Sequence, residues 1–209
     1  MKKILILMLL VMAVATGADA QLRWGVEGSA KYSLTARTCD RSGGFTIGGY
    51  GEYQFAKNWY VDFGLRLSLD AWKMRGESYP DWIFLKYRAA AYSLQLPVHI
   101  GYRFGITDNV KLFAAVGAYI GRGMWGDGHL THRYNEEGGY EYYGEKDSDI
   151  YRSFMHRSQV GMEARIGTEL WNKVPVFINV NYQFNNVSKL PLPHDKHLKY
   201  IALGFGYKF

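Results

Sequence analysis

The chain has 209 residues, with 25 Lys or Arg against 19 Asp or Glu, and 48% of it is hydrophobic. That length suits a single domain. The net charge of +6 is scattered rather than gathered on one face, which argues against nucleic acid as a partner, and the lone cysteine, Cys39, excludes an internal disulfide.

Residues 1–20 have the layout of a secretory signal peptide. Lys2 and Lys3 precede an apolar run from Ile4 to Val14, and Ala18-Asp19-Ala20 supplies a small-residue cleavage site, with Ala18 and Ala20 flanking Asp19. The run is too short to span a bilayer comfortably, and no later stretch is long and apolar enough for a spanning helix. A membrane placement of residues 21–209 therefore requires a closed barrel.

From Leu22 onward the chain repeats one pattern eight times: apolar residues at every second position, as in a strand with two unlike faces. The predicted strands run 22–34 (Trp24, Val26), 45–55 (Phe45, Ile47), 59–71 (Phe63, Leu65), 90–104 (Leu94, Ile100), 110–121 (Leu112, Ile120), 158–171 (Val160, Ile166), 176–185 (Ile178, Val180) and 198–209. Short links at 56–58, 105–109 and 172–175 alternate with longer ones at 35–44, 72–89, 122–157 and 186–197. This is the rhythm of an antiparallel up-and-down transmembrane β-barrel with short inner turns and long outer loops. Pro97 removes a ladder donor from the fourth strand and suggests a bulge there.

Alternation alone leaves open which face is wet. A soluble barrel would bury its apolar face. Here the minor face carries glycines such as Gly25, Gly101, Gly161 and Gly204, which suit a crowded narrow lumen. Trp24, Trp59 and Tyr102 fall near strand ends, as in an interfacial aromatic girdle. With the apolar face outward, the lumen receives Glu27, Arg66, His99, Arg103, Glu163 and Arg165, expected to neutralise one another as a charge network. Arg23, Glu52, Asp62, Lys111, Glu169 and Lys208 share that parity. Eight strands enclose a space that side chains fill, so an open pore is not expected.

The remaining motifs are weak. His129/His132 and His194/His197 have H-x-x-H spacing, but each pair offers two ligands where zinc needs three or four. The third long loop mixes Tyr134, Tyr140, Tyr142 and Tyr143 with carboxylates that lack calcium-loop spacing, and reads as a solvated or ligand-contacting surface. Trp82-Ile83-Phe84-Leu85 forms an apolar cluster in the second long loop. No metal site, cofactor or catalytic residue is assigned.

The final segment, LKYIALGFGYKF, alternates Ile201, Leu203, Phe205, Tyr207 and Phe209 with small or polar residues and closes on an aromatic. It resembles the terminal assembly strand of small bacterial outer-membrane β-barrels of the OmpA, OmpX and OmpW-like kind. The segment SLQLPVHIGYRF resembles the corresponding strand of PorT-like barrel proteins. The resemblance implies an integral protein of the cell outer membrane, in contact with outer-membrane lipid and lipopolysaccharide. It also implies dependence on periplasmic chaperones and on the machinery that inserts barrels. Relatives that deacylate lipid A use a His-x-Ser pair with a carboxylate, and His156 and Ser158 share the lipid-facing parity, but Glu163 and Glu169 have lumen parity. The expected function is therefore non-enzymatic: a filled barrel that acts structurally or binds a surface ligand or protein through its outer loops. A lipid A-modifying hydrolase and a PorT-like secretion component are the alternatives.

Overall fold

The computed structural model describes residues 21–34, 39–78, 83–136, 139–147, 149–153, 155–186 and 197–209. Ala18, Ala20 and the rest of the proposed signal peptide lie outside the described residues, as do Trp82 and His194. The strands are β1 (Gln21–Ser33), β2 (Cys39–Gln54), β3 (Trp59–Ser78), β4 (Ile83–Thr107), β5 (Val110–Glu136), β6 (Gly139–Asp147), β7 (Ser158–Leu170), β8 (Val174–Gln183) and β9 (Lys199–Lys208), with one helical turn, α1 (Ile150–Ser153).

Eight of these strands close a ring in the order β1-β2-β3-β4-β5-β7-β8-β9, and β9 returns to β1 through pairs such as Gly28↔Phe205 and Tyr32↔Ile201. Every neighbouring pair is antiparallel. β6 stands outside the ring and pairs with the far part of β5, from Gly128↔Asp147 to Glu136↔Gly139. The turns at 56–58, 108–109 and 171–173 share one end of the barrel, the turn end. Trp171 and Asn172 adopt φ values of 52° and 57°, and Lys173 N donates to Leu170 O at 3.0 Å, which makes a tight hairpin whose two central residues are left-handed.

The polarity is inside out. Leu203 and Phe205 are 64% and 68% exposed, whereas Glu163 and Glu169 are 2% and 0% exposed. A soluble barrel would reverse that assignment. On the inner face, large rings lie across glycines of the adjacent strand: Tyr50 opposite Gly25, Tyr60 opposite Gly101, Tyr119 opposite Gly161 and Phe177 opposite Gly204. A Cβ at any of these glycines would come within 2.3–2.7 Å of the facing ring. The glycines are the floor on which the lumen aromatics rest, which is why they occur on that face.

Two expectations are corrected. Pro97 marks no bulge: the β3–β4 register is the same at Phe63↔Val98 and Arg66↔Gln95, and pairing to β3 lapses only at the intervening positions. On its other side Pro97 still pairs with Tyr119. The register of β4 shifts instead at Tyr92/Ser93, where Met124 is the extra residue of β5, and at Gly105/Thr107 near the turn. Second, much of the expected loops 72–89 and 122–157 is strand. β3, β4 and β5 continue beyond the ring and, with β6, form a projecting sheet that contains Ile83, Phe84 and Leu85. Alternation fades there because both faces of a projecting sheet can meet water, so the ladder persists without an apolar face.

Candidate functional site

The lumen is built in layers of charge. At the turn end, Lys208 Nζ lies 2.6 Å from both Glu52 Oε2 and Glu169 Oε2, and Arg103 Nη2 lies 2.7 and 3.0 Å from the same two atoms. These groups come from β9, β2, β7 and β4, so the cluster ties four strands together. The Arg103 guanidinium also sits 4.6 Å from the centre of the Tyr60 ring.

The middle layer is larger. Glu27 accepts from Arg66 Nε at 2.5 Å and from Arg165 Nη1 at 3.0 Å. Glu163 Oε2 accepts from Arg66 Nη1 at 2.8 Å and faces His99 Nε2 at 2.7 Å, while Asn181 donates to its other oxygen. His99 Nδ1 lies 2.5 Å from Asp62 Oδ1. Because both imidazole nitrogens face carboxylate oxygens, both donate when those carboxylates are ionised. His99 is then positive, and Glu27, Asp62 and Glu163 are balanced by Arg66, Arg165 and His99. The third layer pairs Lys31 with Asp70, and Ser68 bonds to both.

Glu27, Arg66, His99, Glu163 and Arg165 thus converge, whereas Arg103 belongs to the separate turn-end cluster. Arg23 and Lys111 are only half-buried. The sequence reading missed Lys31 and Asp70, although the parity of Ala30/Tyr32 and Leu69/Ala71 points both inward. Between the layers lie two polar cavities of about 20 Å³ each. A space of that size and lining suits roughly one water molecule.

The far mouth is closed by α1, which the sequence reading placed in a solvated loop. Ile150, Tyr151 and Met155 are buried with Ala89 and Ala91, and Leu198 packs against them. Gly123 and Gly126 on β5 make the room: a Cβ there would meet the Tyr151 ring at 2.2 Å and the Ile150 side chain at 2.7 Å. Tyr151 Oη donates to Tyr92 O at 3.1 Å, and burial pushes its phenol above the ordinary range, so it stays a donor. Arg157 clamps the segment, with Nη2 2.6 Å from Asp149 Oδ2 and Nη1 3.0 Å from Met124 O.

On the outer face, Ile201, Leu203, Phe205, Tyr207 and Phe209 are all exposed along β9 and the residue after it. His156 and Ser158 are also exposed, but Arg122 is the ladder partner of Ser158, and Glu163 and Glu169 face the lumen. His197 stacks on Tyr182, with ring centres 5.7 Å apart. His129 is exposed on β5. Among the described residues no group of three or more His, Cys, Asp or Glu is placed to hold a metal ion.

A closed eight-stranded antiparallel barrel with an apolar exterior and a charge-paired interior defines a class, that of the small outer-membrane barrels. The outer membrane protein β-barrel domain model matches residues 4–209, and the chain belongs to that family and localises to the cell outer membrane. Solved structures similar to it include Neisserial surface protein A, at 11% identity and a TM-score of 0.45, covering 91% of this chain and 99% of that one. The outer membrane protein OprG from Pseudomonas aeruginosa is similar at 14% identity and a TM-score of 0.42, covering 90% of this chain and 95% of that one. Ail of Yersinia pestis, solved in complex with the heparin analogue sucrose octasulfate, is similar at 16% identity and a TM-score of 0.37, covering 91% and 99%. Comparison with curated proteins found no match.

Proposed function

We propose that this protein crosses the outer membrane as a sealed, non-enzymatic barrel and works through the surface of its far end. The observation that carries this reading is the lumen: three mutually neutralising charge layers, with small cavities between them, beneath a mouth filled by α1. Such an interior stiffens a scaffold and leaves no path for a solute. Placement across the bilayer is supported by the exposed apolar band, since lipid is the solvent in which that face is stable. The turn end, where β1 starts and β9 finishes, faces the periplasm, and the projecting sheet faces outward.

Residues 1–20 act as the signal peptide, cut after Ala20. Ile201, Leu203, Phe205, Tyr207 and Phe209 form the strand read by the insertion machinery after delivery by periplasmic chaperones. Planar-bilayer recording of the purified, folded protein tests the sealed lumen. No stable single-channel current is expected, and a steady open conductance overturns the reading. N-terminal sequencing of the outer-membrane form should begin at Gln21. Replacing Phe209 with Ser should lower the amount of heat-modifiable barrel in the outer membrane several-fold while export across the inner membrane continues.

A further inference from the structure

Not every glycine of the barrel serves the lumen. Gly28 on β1 and Gly49 on β2 share the outward parity of Val26, Ala30 and Ile47. A Cβ at Gly28 would meet only Thr46 O, at 3.6 Å, and one at Gly49 only Gly25 O, at 3.7 Å, both ordinary contacts. Neither glycine has its φ in the left-handed region. Packing and backbone geometry within the chain therefore leave both unexplained, although glycine weakens a strand. Gly28 and Ala30 form the floor of an outward groove of about 520 Å³ at the seam where β1 meets β9. Phe45 and Ile47 of β2 wall it on one side, and Leu203 and Phe205 of β9 on the other.

The valley lies beside a ridge of its own size. Ala30 is directly opposite Leu203 and Gly28 opposite Phe205, and those two side chains stand out from the wall. Copies in one membrane share its orientation, so a two-fold axis relating two of them runs along the bilayer normal and preserves height. Strands about 4.8 Å apart and tilted about 40° put ladder partners within about 3 Å of one another in height. Rotation about an axis between β1 and β9 therefore brings the ridge of each barrel over the valley of the other. No outward position of 24–32, 45–53 or 201–207 is charged, so like copies do not repel there. The outward faces of β2, β1, β9 and β8 over a band about 25 Å tall offer on the order of 500 Å² per barrel. Two such faces reach the roughly 1,000 Å² that a specific interface needs. Lipid is as apolar as the patch, so close packing drives the contact, and small residues permit it. An acyl chain would fill the valley but leave the ridge unmatched.

We propose that the β1–β9 seam is a homodimer interface within the membrane, with Leu203 and Phe205 of each barrel seated on Ala30 and Gly28 of the other. This pairing rests on the membrane orientation given above and adds a partner to it, a second copy of the same chain. It sets two projecting sheets side by side on one face of the membrane, so a repetitive surface ligand meets two binding surfaces at once.

The test uses the full mature barrel, with Cys39→Ser and one new cysteine, in isolated outer membranes treated with a short bismaleimide. Ala30→Cys lies beside the axis and should give a cross-linked band of twice the monomer mass. That band should be several-fold stronger than the one from Val116→Cys, an exposed position on β5 across the ring. Adding Gly28→Leu fills the valley and should cut the Ala30→Cys band about tenfold, the effect of losing roughly 1.4 kcal/mol of contact. Gly28→Leu should keep its heat-modifiable mobility, because the new side chain enters lipid rather than the lumen. Equal bands from Ala30→Cys and Val116→Cys overturn the interface whether or not the Gly28→Leu barrel folds. So does a folded Gly28→Leu barrel that cross-links as before, or a cross-link to a chain of different mass. Native mass spectrometry from mild detergent reads the other occupant: a monomer holding a lipid that Gly28→Leu sheds gives the valley to an acyl chain and overturns the dimer. Protease shielding of the strands in lipid vesicles reads the orientation independently. Its loss overturns orientation and interface together, whereas intact shielding with equal bands overturns the interface alone.

Discussion

The barrel wall and the projecting sheet are built from the same strands, yet they obey different rules. Within the wall, Arg66 on β3 touches carboxylates on β1 and β7, and Lys31, Arg103, Arg165 and Lys208 each touch a carboxylate as well. In the projection, Lys73 on the same β3 faces Arg88 instead. The contrast follows from the surroundings. A narrow interior cannot hold an uncompensated charge, so sequence there is constrained by electrostatics and volume. Beyond the membrane, water and external anions can do the compensating, and pairing within the chain is no longer required.

The largest expected effect lies in the wall. A Cβ at Gly117 would stand 2.1 Å from Val98 O and 2.6 Å from the His99 ring. Gly117→Val should therefore yield no heat-modifiable barrel at all on semi-native gels. Glu163→Leu removes the oxygen shared by Arg66 and His99 and should cost about 3–5 kcal/mol, the usual result of stranding one side of a buried pair. Urea unfolding in micelles measures it. In the projection the sign should invert: Arg88→Glu places an acid opposite Lys73 and should stabilise the protein by about 0.2–1 kcal/mol in the same assay. The smallest effect is expected for replacing residues 131–144 with Asn-Gly, which shortens the β5–β6 hairpin to a two-residue turn closed by Leu130 and Glu145. The wall should keep its stability to within about 0.5 kcal/mol, as for other surface changes. A large loss from this last variant would mean that the two regions are not separable.

The same contrast explains what could be read from the residues. The eight strands of the wall are legible because two solvents act on their two faces, and Leu203/Gly204/Phe205 or Val160/Gly161/Met162 records both at once. The parity that placed Glu27, Arg66, His99, Glu163 and Arg165 inward follows from the same alternation. Their individual partners do not, because they depend on register: Asp62 stands directly opposite His99, and Glu163 reaches His99 across Gly117 of the strand between them. Beyond Ala71 and before Ala90 the pattern loses its apolar face, so strand there reads as loop. Ile150, Tyr151 and Met155 escaped for a different reason: a single helical turn is too short to show periodicity. The glycines at 123 and 126 were the available signal, since nothing else in an exposed strand explains them.

The seam between β1 and β9 has a kinetic consequence. It joins Gly25–Ser33 to Tyr200–Lys208, nearly the whole length of the chain apart. Every other pairing in the ring forms between strands much nearer in sequence, so closure must wait for the most distant contact, the slowest kind to find. Until then a sheet of up to eight strands carries two unpaired edges and an apolar face, and such edges invite pairing with other chains. The time between synthesis and closure is the interval in which this molecule is most exposed to aggregation, and the escorting of the open sheet is set by its topology as much as by its hydrophobicity.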